Sequence, residues 1–595
     1  MPAYQAPLRD IAFVAHEMLD LSSHYQQLVD CEALDPSTFD AIAEEGAKFA
    51  EQQLSPLNAV GDVHGCRLQD GKVTTPPGFS AAFNQYAANG WLGLDKDPTY
   101  GGQGLPPTLG FVIHEMLCSA NHAWSMYTNL TGGAISTLSA HADTTLKQRL
   151  LPALMAGRWT GTMCLTEPHC GSDLGLLRTR AVPQADGSYR ISGSKMFISA
   201  GEHDLAENIV HLVLARIEGA APGVKGISLF AVSKRQLSPE GQPGAANGVT
   251  CGAIEAKMGI HGNATCVLHF DDACGHLLGE AHRGMNAMFT FINESRLAVA
   301  QQAQAHAEAA FQGALHYARE RVQMRANPRL HPEQPADPII GHADVRRMLL
   351  TQKAFAEGGR MLTYACAQDV DRLHHGATPA VQDAAARRLA LLTPIAKGFL
   401  SEAGNEAAQL GIQVLGGHGY IHESGMEQIA RDVRITTIYE GTNTIQGIDL
   451  LTRKVFADNG QALAQLLDEI QHFATASHVP KDLAQPLLAQ VEAWREVSAE
   501  LQARHPHDSH LVNASAFDYL MLSGYVVLGY HWLRAACVAE QALASGSAEQ
   551  AFYQGKRETA RFYLQRLLPR ASLHRTLIES GSANLMSISD SAFAR

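Results

Sequence analysis

The sequence predicts an α+β fold, mostly α, in which helices come first, a sheet follows, and helices return and continue into a helical appendage. Three observations predict it. Apolar residues recur at three- and four-residue spacing early in the chain, as at Phe39, Ile42, Ala43, Gly46, Phe49 and Ala50. Near residue 160 the period changes to short β-branched or aromatic runs separated by turn residues. Beyond residue 283 long stretches rich in Ala, Leu and Gln return. With 595 residues, 46% hydrophobic and 18% charged, the chain can fill several cores and is not a disordered polymer.

Taken in order, residues 1–38 form an N-terminal extension and residues 39–159 a helical domain, broken by the glycine-rich punctuation Tyr100-Gly101-Gly102-Gln103-Gly104-Leu105-Pro106. Residues 160–282 hold strand-like runs such as Tyr189-Arg190-Ile191-Ser192 and Ile209-Val210-His211-Leu212-Val213-Leu214. Turn signals at Asp186-Gly187, Glu218-Gly219 and Ala246-Asn247-Gly248 divide them, as in an antiparallel β-domain. Residues 283–456 are helical, and the proline-rich segment from Asn327 to Pro338 reads as a loop between two helices. Residues 457–595 keep helical spacing, as at Leu463, Leu466, Leu467 and Ile470. No repeat of fixed period is evident.

Charge and composition exclude several function classes. The net charge of −13 repels a nucleic-acid backbone, so no nucleic-acid partner is expected. The ten cysteines include no Cys-x-x-Cys pair, which argues against zinc ribbons, redox dithiols and iron–sulfur centres, and no metal is expected. The N-terminal residues have neither a basic nor an apolar signal-peptide region. The longest apolar stretch, Tyr519 to Tyr530, is short of the roughly 20 residues of a membrane span and reads as a buried helix. The expectation is a soluble, cytoplasmic, multidomain protein without a transmembrane segment.

Four short motifs could carry chemistry. Met163-Cys164-Leu165-Thr166-Glu167-Pro168-His169-Cys170-Gly171-Ser172-Asp173 lies where helix gives way to strand. Its small and hydroxyl residues suit a polar cofactor, but they also suit an ordinary capped turn. In Lys195-Met196-Phe197-Ile198-Ser199-Ala200-Gly201 an aromatic and a hydroxyl two residues apart share a strand face and could meet one flat ligand. Phe197 in isolation reads equally as core. Gln413-Val414-Leu415-Gly416-Gly417-His418-Gly419-Tyr420 permits close approach of a ligand or a second subunit, or simply ends a helix. It follows no predicted strand, so it is no Rossmann fingerprint. In Ile438-Tyr439-Glu440-Gly441-Thr442-Asn443-Thr444 a carboxylate stands between apolar residues and a turn. An apolar pocket there would make it a useful general base; the alternative is a solvated turn residue.

In this order the four motifs resemble the acyl-CoA dehydrogenase family of flavoproteins. The resemblance runs from about residue 40 to 455. It includes Trp91-Leu92-Gly93-Leu94 with Tyr100-Gly101-Gly102, Glu320-Arg321-Val322-Gln323, and Asp344-Val345-Arg346-Arg347-Met348-Leu349. The N-terminal extension and long tail are similar to the larger bacterial subgroup that includes the 3-methylmercaptopropionyl-CoA dehydrogenases. The resemblance implies a helical domain, a central β-domain and a C-terminal four-helix bundle, with FAD between the β-domain and the bundle and reaching a neighbouring subunit. Carried over by position, Met163, Leu165 and Thr166 line the flavin. Phe197 stands for the aromatic, usually Trp, that covers it, and Ser199 for the usual Thr. Arg321 matches the residue that reaches the FAD pyrophosphate across the dimer, with Gln413 and Gly417 beside it. Thr442, Asn443 and Thr444 match the segment contacting the adenosine half. Ser172 and Arg296 match positions near the acyl-CoA pantetheine and phosphates, and Tyr439 and Gly441 flank the base at the substrate.

Glu440 matches the family's base, which removes the α-proton while a hydride leaves the β-carbon for flavin N5, giving a trans-2-enoyl-CoA. The thioester oxygen would be held by the backbone N–H of the base residue and a ribityl hydroxyl. Some members carry the base before the Arg matching Arg296; here that slot is Ser295, and Glu294 is one residue out of register. The resemblance implies an acyl-CoA substrate, fatty-acid β-oxidation, an electron-transfer flavoprotein as acceptor, and a homodimer that pairs or does not pair further. Trp124, Met126 and Tyr127 fall where family members close the acyl pocket, which would favour short or medium chains; core packing explains them as well. The basic stretch Lys556, Arg557, Arg561, Arg566 and Arg570 reads as a solvated or salt-bridged face, with CoA, membrane or partner contact as the alternative. The tail is expected to pack across the dimer. Competing readings are an acyl-CoA oxidase, a DNA-associated alkylation-response flavoprotein and a non-catalytic scaffold.

Overall fold

The computed structural model describes residues 4–31, 33–238 and 241–594. Residues 1–3 and 595, the outer ends of the expected extension and appendage, lie outside the described residues. The chain forms two compact units, one of residues 42–298 and one joining the segment up to Ala41 with Val299 onward.

In the first unit the central helix α1 (Pro107–His141) is buried on almost every side. Asn121 interrupts it at φ −162° and ψ 90°. The Asn121 Oδ1 accepts the Trp124 N–H at 3.0 Å, so the second half begins with its own N-cap. Trp124 is fully buried, its ring centroid 5.8 Å from Phe49 and 5.5 Å from Tyr86, and its indole N–H donates to the Phe79 carbonyl. The Tyr127 hydroxyl donates to the Gly262 carbonyl and accepts the Ala264 N–H, both at 3.2 Å. With Met126 also buried, all three bulky side chains pack inside this unit.

The main sheet after it has seven strands: β1 (Trp159–Cys164), β2 (Arg180–Pro183), β3 (Tyr189–Ser199), β4 (Asn208–Ile217), β5 (Ile227–Ser233), β6 (Val249–Ile254) and β7 (Thr265–Leu278). Their order is β6-β7-β3-β2-β4-β1, and β5 bridges β7 and β4, so the sheet closes on itself around Ile191, Ile198, Val213, Phe230, Val232, Cys266 and Leu268. The expected antiparallel pairing needs correction at two places. β1 and β2 each pair with β4 in parallel, as at Thr162↔His211 and Arg180↔Arg216. Hairpin turn residues report only sequential antiparallel neighbours, whereas parallel pairs need crossovers that leave no turn signature.

In the second unit, helices α2 (Gly284–Glu320, from Val299 onward), α3 (Ala343–His375) and α4 (Pro379–Leu415) form the bundle. Small residues let them approach closely: a Cβ on Gly404 would fall 2.5 Å from the Ala303 carbonyl oxygen. The loop expected from Asn327 to Pro338 is organised by the buried Asp337, whose carboxylate accepts the N–H groups of Ala326, Leu330 and His331 and the guanidinium of Arg329. The appendage comprises α5 (Gln461–Ala474), α6 (Lys481–Arg504), α7 (Leu511–Ala544), α8 (Gln550–Phe562) and shorter helices after it. It packs on the bundle of its own chain: Gly398 and Gly524 admit Leu520 and Phe399, and the Trp532 indole donates to the Ala354 carbonyl at 3.0 Å.

Tyr519 to Tyr530 lies within α7 and is buried throughout, as its apolar texture predicts. Among the described residues α7 alone is long and apolar enough to cross a membrane, and most of it is covered by its neighbours. The basic stretch is largely ion-paired. Lys556 is buried against Asp10 and Glu357, Arg557 and Arg561 meet Glu558, and Arg570 meets Glu406 at 2.7 Å.

Candidate active site

The first unit carries the Met163–Asp173 and Lys195–Gly201 motifs. Where β1 ends, Cys164 turns into the core while Met163, Leu165 and Thr166 stay half-buried. The Met196 N–H donates to the Thr166 carbonyl at 3.0 Å, joining this segment to β3. There Ile198 is buried, Ser199 half-buried, and Phe197 57% exposed. Phe197 has φ +57°, a conformation that costs a non-glycine residue on the order of 1–3 kcal/mol. An aromatic held there gains no core burial in return.

A buried ion pair joins the two motifs. Lys195 Nζ donates to the Leu165 carbonyl at 3.0 Å and to Glu167 at 2.8 Å. The Glu167 carboxylate also accepts both the N–H and the hydroxyl of Thr179 and the N–H of Arg178. Burial alone would raise the Glu167 carboxyl, but Lys195 and these donors outweigh it and hold it at about 2. His169 and Cys170 stand close enough to Glu167 to resemble a metal cluster. With both Glu167 oxygens already engaged, the group is a structural brace.

Ser172 lies on the exposed loop that follows, and Arg296 is buried on α2. Glu294 faces Lys96, 3.9 Å away, while Ser295 is buried, so the two project differently from the helix.

The second unit carries the carboxylate. Helical segments Met426–Val433 and Arg434–Thr437 lead to Tyr439, whose hydroxyl donates to Gln302. Glu440 follows at φ +57° and Gly441 at φ +89°, and a helix begins at Asn443. Glu440 is partly exposed. The carbonyls of this turn face inward: Gln446 Nε2 donates to those of Glu440 and Gly441 at 3.0 and 3.1 Å, and Lys397 Nζ to that of Gly441 at 2.8 Å.

Asn443, expected with Thr442 and Thr444 at the cofactor, is buried, and its side chain is tied to α4. Its Oδ1 accepts Lys397 and Ser401, and its Nδ2 donates to Glu402. Thr442 and Thr444 on either side are exposed.

Arg321 directly follows α2 and is exposed, and Gln413 in the last turn of α4 and Gly417 just beyond it are exposed. The structure draws these ends together: the Tyr317 hydroxyl and His418 Nδ1 are 3.1 Å apart. A Cβ on Gly417 would meet nothing within 4 Å. Sequence reasoning missed Lys397 and Gln446. The available signal was a lone lysine inside Pro394-Ile395-Ala396-Lys397-Gly398-Phe399-Leu400, where a solvated side chain would find no water.

A closed β-domain, a helical bundle and a strained, inward-anchored carboxylate turn define an acyl-CoA dehydrogenase fold, and the chain belongs to that family. Family models match its N-terminal domain over residues 37–158, its middle domain over 162–273, its C-terminal domain over 282–455, and the acetyl-CoA dehydrogenase C-terminal-like domain over 466–589.

The chain is 40% identical to 3-methylmercaptopropionyl-CoA dehydrogenase of Ruegeria pomeroyi, with 98% of this chain and 99% of that protein covered. It is 35% identical to a broad-specificity linear acyl-CoA dehydrogenase of Mycobacterium tuberculosis over the full length of both. Among solved structures, a Bacillus anthracis acyl-CoA dehydrogenase complexed with FAD shares the fold at a TM-score of 0.73 and 22% identity, covering 93% of this chain and 90% of that one.

The protein is therefore an acyl-CoA dehydrogenase, an oxidoreductase that uses FAD. The residues present fit that cofactor: the bare ring of Phe197 beside the hydroxyls of Thr166 and Ser199 suits a flat apolar ring system with polar edges.

Proposed function

We propose that Glu440 removes the α-proton of a saturated acyl-CoA while a hydride leaves the β-carbon, giving a trans-2-enoyl-CoA. The observation that carries this reading is the turn itself, which holds a partly exposed carboxylate residue at φ +57° with its own carbonyl and that of Gly441 turned inward onto Gln446 and Lys397. Strain retained against relaxation is characteristic of working sites.

As the proton leaves, charge spreads onto the thioester oxygen, and the Glu440 backbone N–H receives it. Tyr439 and Gly441 shape the acyl site around the base, and Ser172 and Arg296 take the pantetheine and phosphate end. FAD, when bound, supplies the acceptor of the hydride. Met163, Leu165, Thr166, Phe197 and Ser199 hold its ring system, Arg321, Gln413 and Gly417 its pyrophosphate from a second subunit, and Thr442 and Thr444 its adenosine half. The same reading makes the protein a cytoplasmic homodimer with an electron-transfer flavoprotein as acceptor. The 3-methylmercaptopropionyl thioester named for the Ruegeria relative supports a short, slender acyl chain.

Anaerobic titration with acyl-CoAs of graded length, followed by flavin absorbance, tests the reading. Short chains should bleach the flavin, and Glu440→Gln should keep FAD yet abolish bleaching. Full bleaching by Glu440→Gln would show that the base lies elsewhere. Stoichiometric peroxide during aerobic turnover would replace the electron-transfer partner with oxygen.

A further inference from the structure

We infer that Lys397 and Gln446 are positioning residues that clamp the carbonyls of Glu440 and Gly441 and so fix how Glu440 is presented; this rests on the reading of Glu440 as the base. Lys397 lies on α4, fully buried, and spans from the bundle to the turn. Its Nζ donates at 2.8 Å to the Gly441 carbonyl and at 3.0 Å to Asn443 Oδ1. Ser401, one turn further along α4, donates to the same Oδ1, and Glu402 accepts from the Asn443 amide. These contacts hold the ammonium in one place.

Gln446, also fully buried, reaches back from the next helix to both carbonyls. The Gly441 oxygen thus takes two donors at once.

Packing does not account for either residue. A methionine would fill the space of Lys397 without burying an ammonium, which water solvates far better than a protein interior. Gln446 keeps its Oε1 buried without a partner, a state an apolar side chain of the same shape would avoid. The glycine at 441 also follows from the clamp, because a Cβ there would stand 2.7 Å from Gln446 Nε2. Two unfavourable burials and a left-handed Glu440 converge on one turn. The common result is a base that cannot swing away, and misplacing a reacting group by about 1 Å can slow a reaction roughly 100-fold.

The test uses holoenzyme and single-turnover flavin bleaching by a saturated short acyl-CoA. Lys397→Met should lower the limiting bleaching rate about 10- to 100-fold while the half-saturating acyl-CoA concentration moves less than about threefold. Gln446→Met should act in the same direction but less, and it decides the matter if Lys397→Met fails to fold.

Bleaching within about twofold of the parent in the folded variants would overturn the inference, as would slowing wholly explained by lost FAD. If Glu440→Gln alone bleaches at the parental rate, the base reading falls. If it does not bleach and the clamp variants are normal, only the clamp falls.

Discussion

The N-terminal segment, the bundle and the appendage meet at one buried charge cluster, and removing a single cation from it should be costly. Lys556, 1% exposed, contacts Asp10 and stands 2.8 Å from Glu357. Arg360, fully buried, contacts Asp10 and Glu308, and Lys353 contacts Glu357. Burial pushes the Lys556 ammonium well down and the Glu357 carboxyl up, so the set as a whole gains little over apolar residues.

Losing one member is different. Breaking a buried pair from one side costs about 3–5 kcal/mol, and here Arg360 and Lys353 remain to compensate, which leaves about 2 kcal/mol for Lys556→Met. With an unfolding entropy near 2.1 cal/mol/K per residue over a unit of roughly 340 residues, Tm should fall by about 3 °C. Differential scanning fluorimetry reads the shift, and limited proteolysis should show earlier cleavage of the segment around Asp10. Asp10→Asn added to Lys556→Met should recover at least about 1 kcal/mol relative to additivity. An unchanged Tm in Lys556→Met would refute the reasoning.

Other outcomes follow from the site. The Glu167 carboxyl sits at about 2 in the fold against an ordinary 4.5, so its contribution is present above pH 4.5 and is lost as pH falls toward 2. FAD release monitored by fluorescence should rise through that window, and Glu167→Gln should release FAD at higher pH; an unchanged acid midpoint counts against the brace. Phe197→Gly relieves a left-handed residue, so the apoprotein should be as stable or slightly more so, while losing the stacked ring weakens FAD binding about 3- to 10-fold; tighter binding would deny the ring its role. Trp124→Ala empties a fully buried site and should destabilise by about 3–5 kcal/mol rather than lengthen the acyl pocket. A normally stable variant with a shifted chain-length profile would return Trp124 to the substrate.

The architecture was legible because each texture has a distinct period. Phe39 through Ala50 keep helical spacing, Ile209 to Leu214 read as a strand, and Tyr519 to Tyr530 announced a buried helix by having no polar face. The parallel pairing of β1 and β2 with β4 was not legible, since periodicity reports which residues form a strand but not which strand lies beside it. Lys556 is salt-bridged, as one of the two surface readings had it, but its burial was not legible, for a related reason. In a run with Arg557 and Arg561 it looks like one more solvated cation, and only the return of Asp10 from the other end of the chain buries it.

The site was legible where residues touch neighbours in sequence and illegible where they touch distant ones. Phe197 and Ser199 declare a shared strand face, and Glu440-Gly441 declares a turn, because those relations are local. Whether Glu440 is free to move depends instead on an ammonium presented from α4 and on an amide one helical turn further along the chain. The sequence shows Lys397 as a charged residue in apolar company, and such a residue is tolerated only when something distant satisfies it. Asn443 shows the same dependence on distant partners: next in line after Glu440-Gly441-Thr442 it reads as a local turn residue, yet Lys397, Ser401 and Glu402 on α4 all bond its side-chain amide. Phe197, Thr442 and Thr444, which the proposed reading gives to the cofactor, are residues the fold leaves exposed, whereas Lys397 and Gln446, which anchor the Glu440 turn, are buried and reach it through donors from elsewhere in the chain.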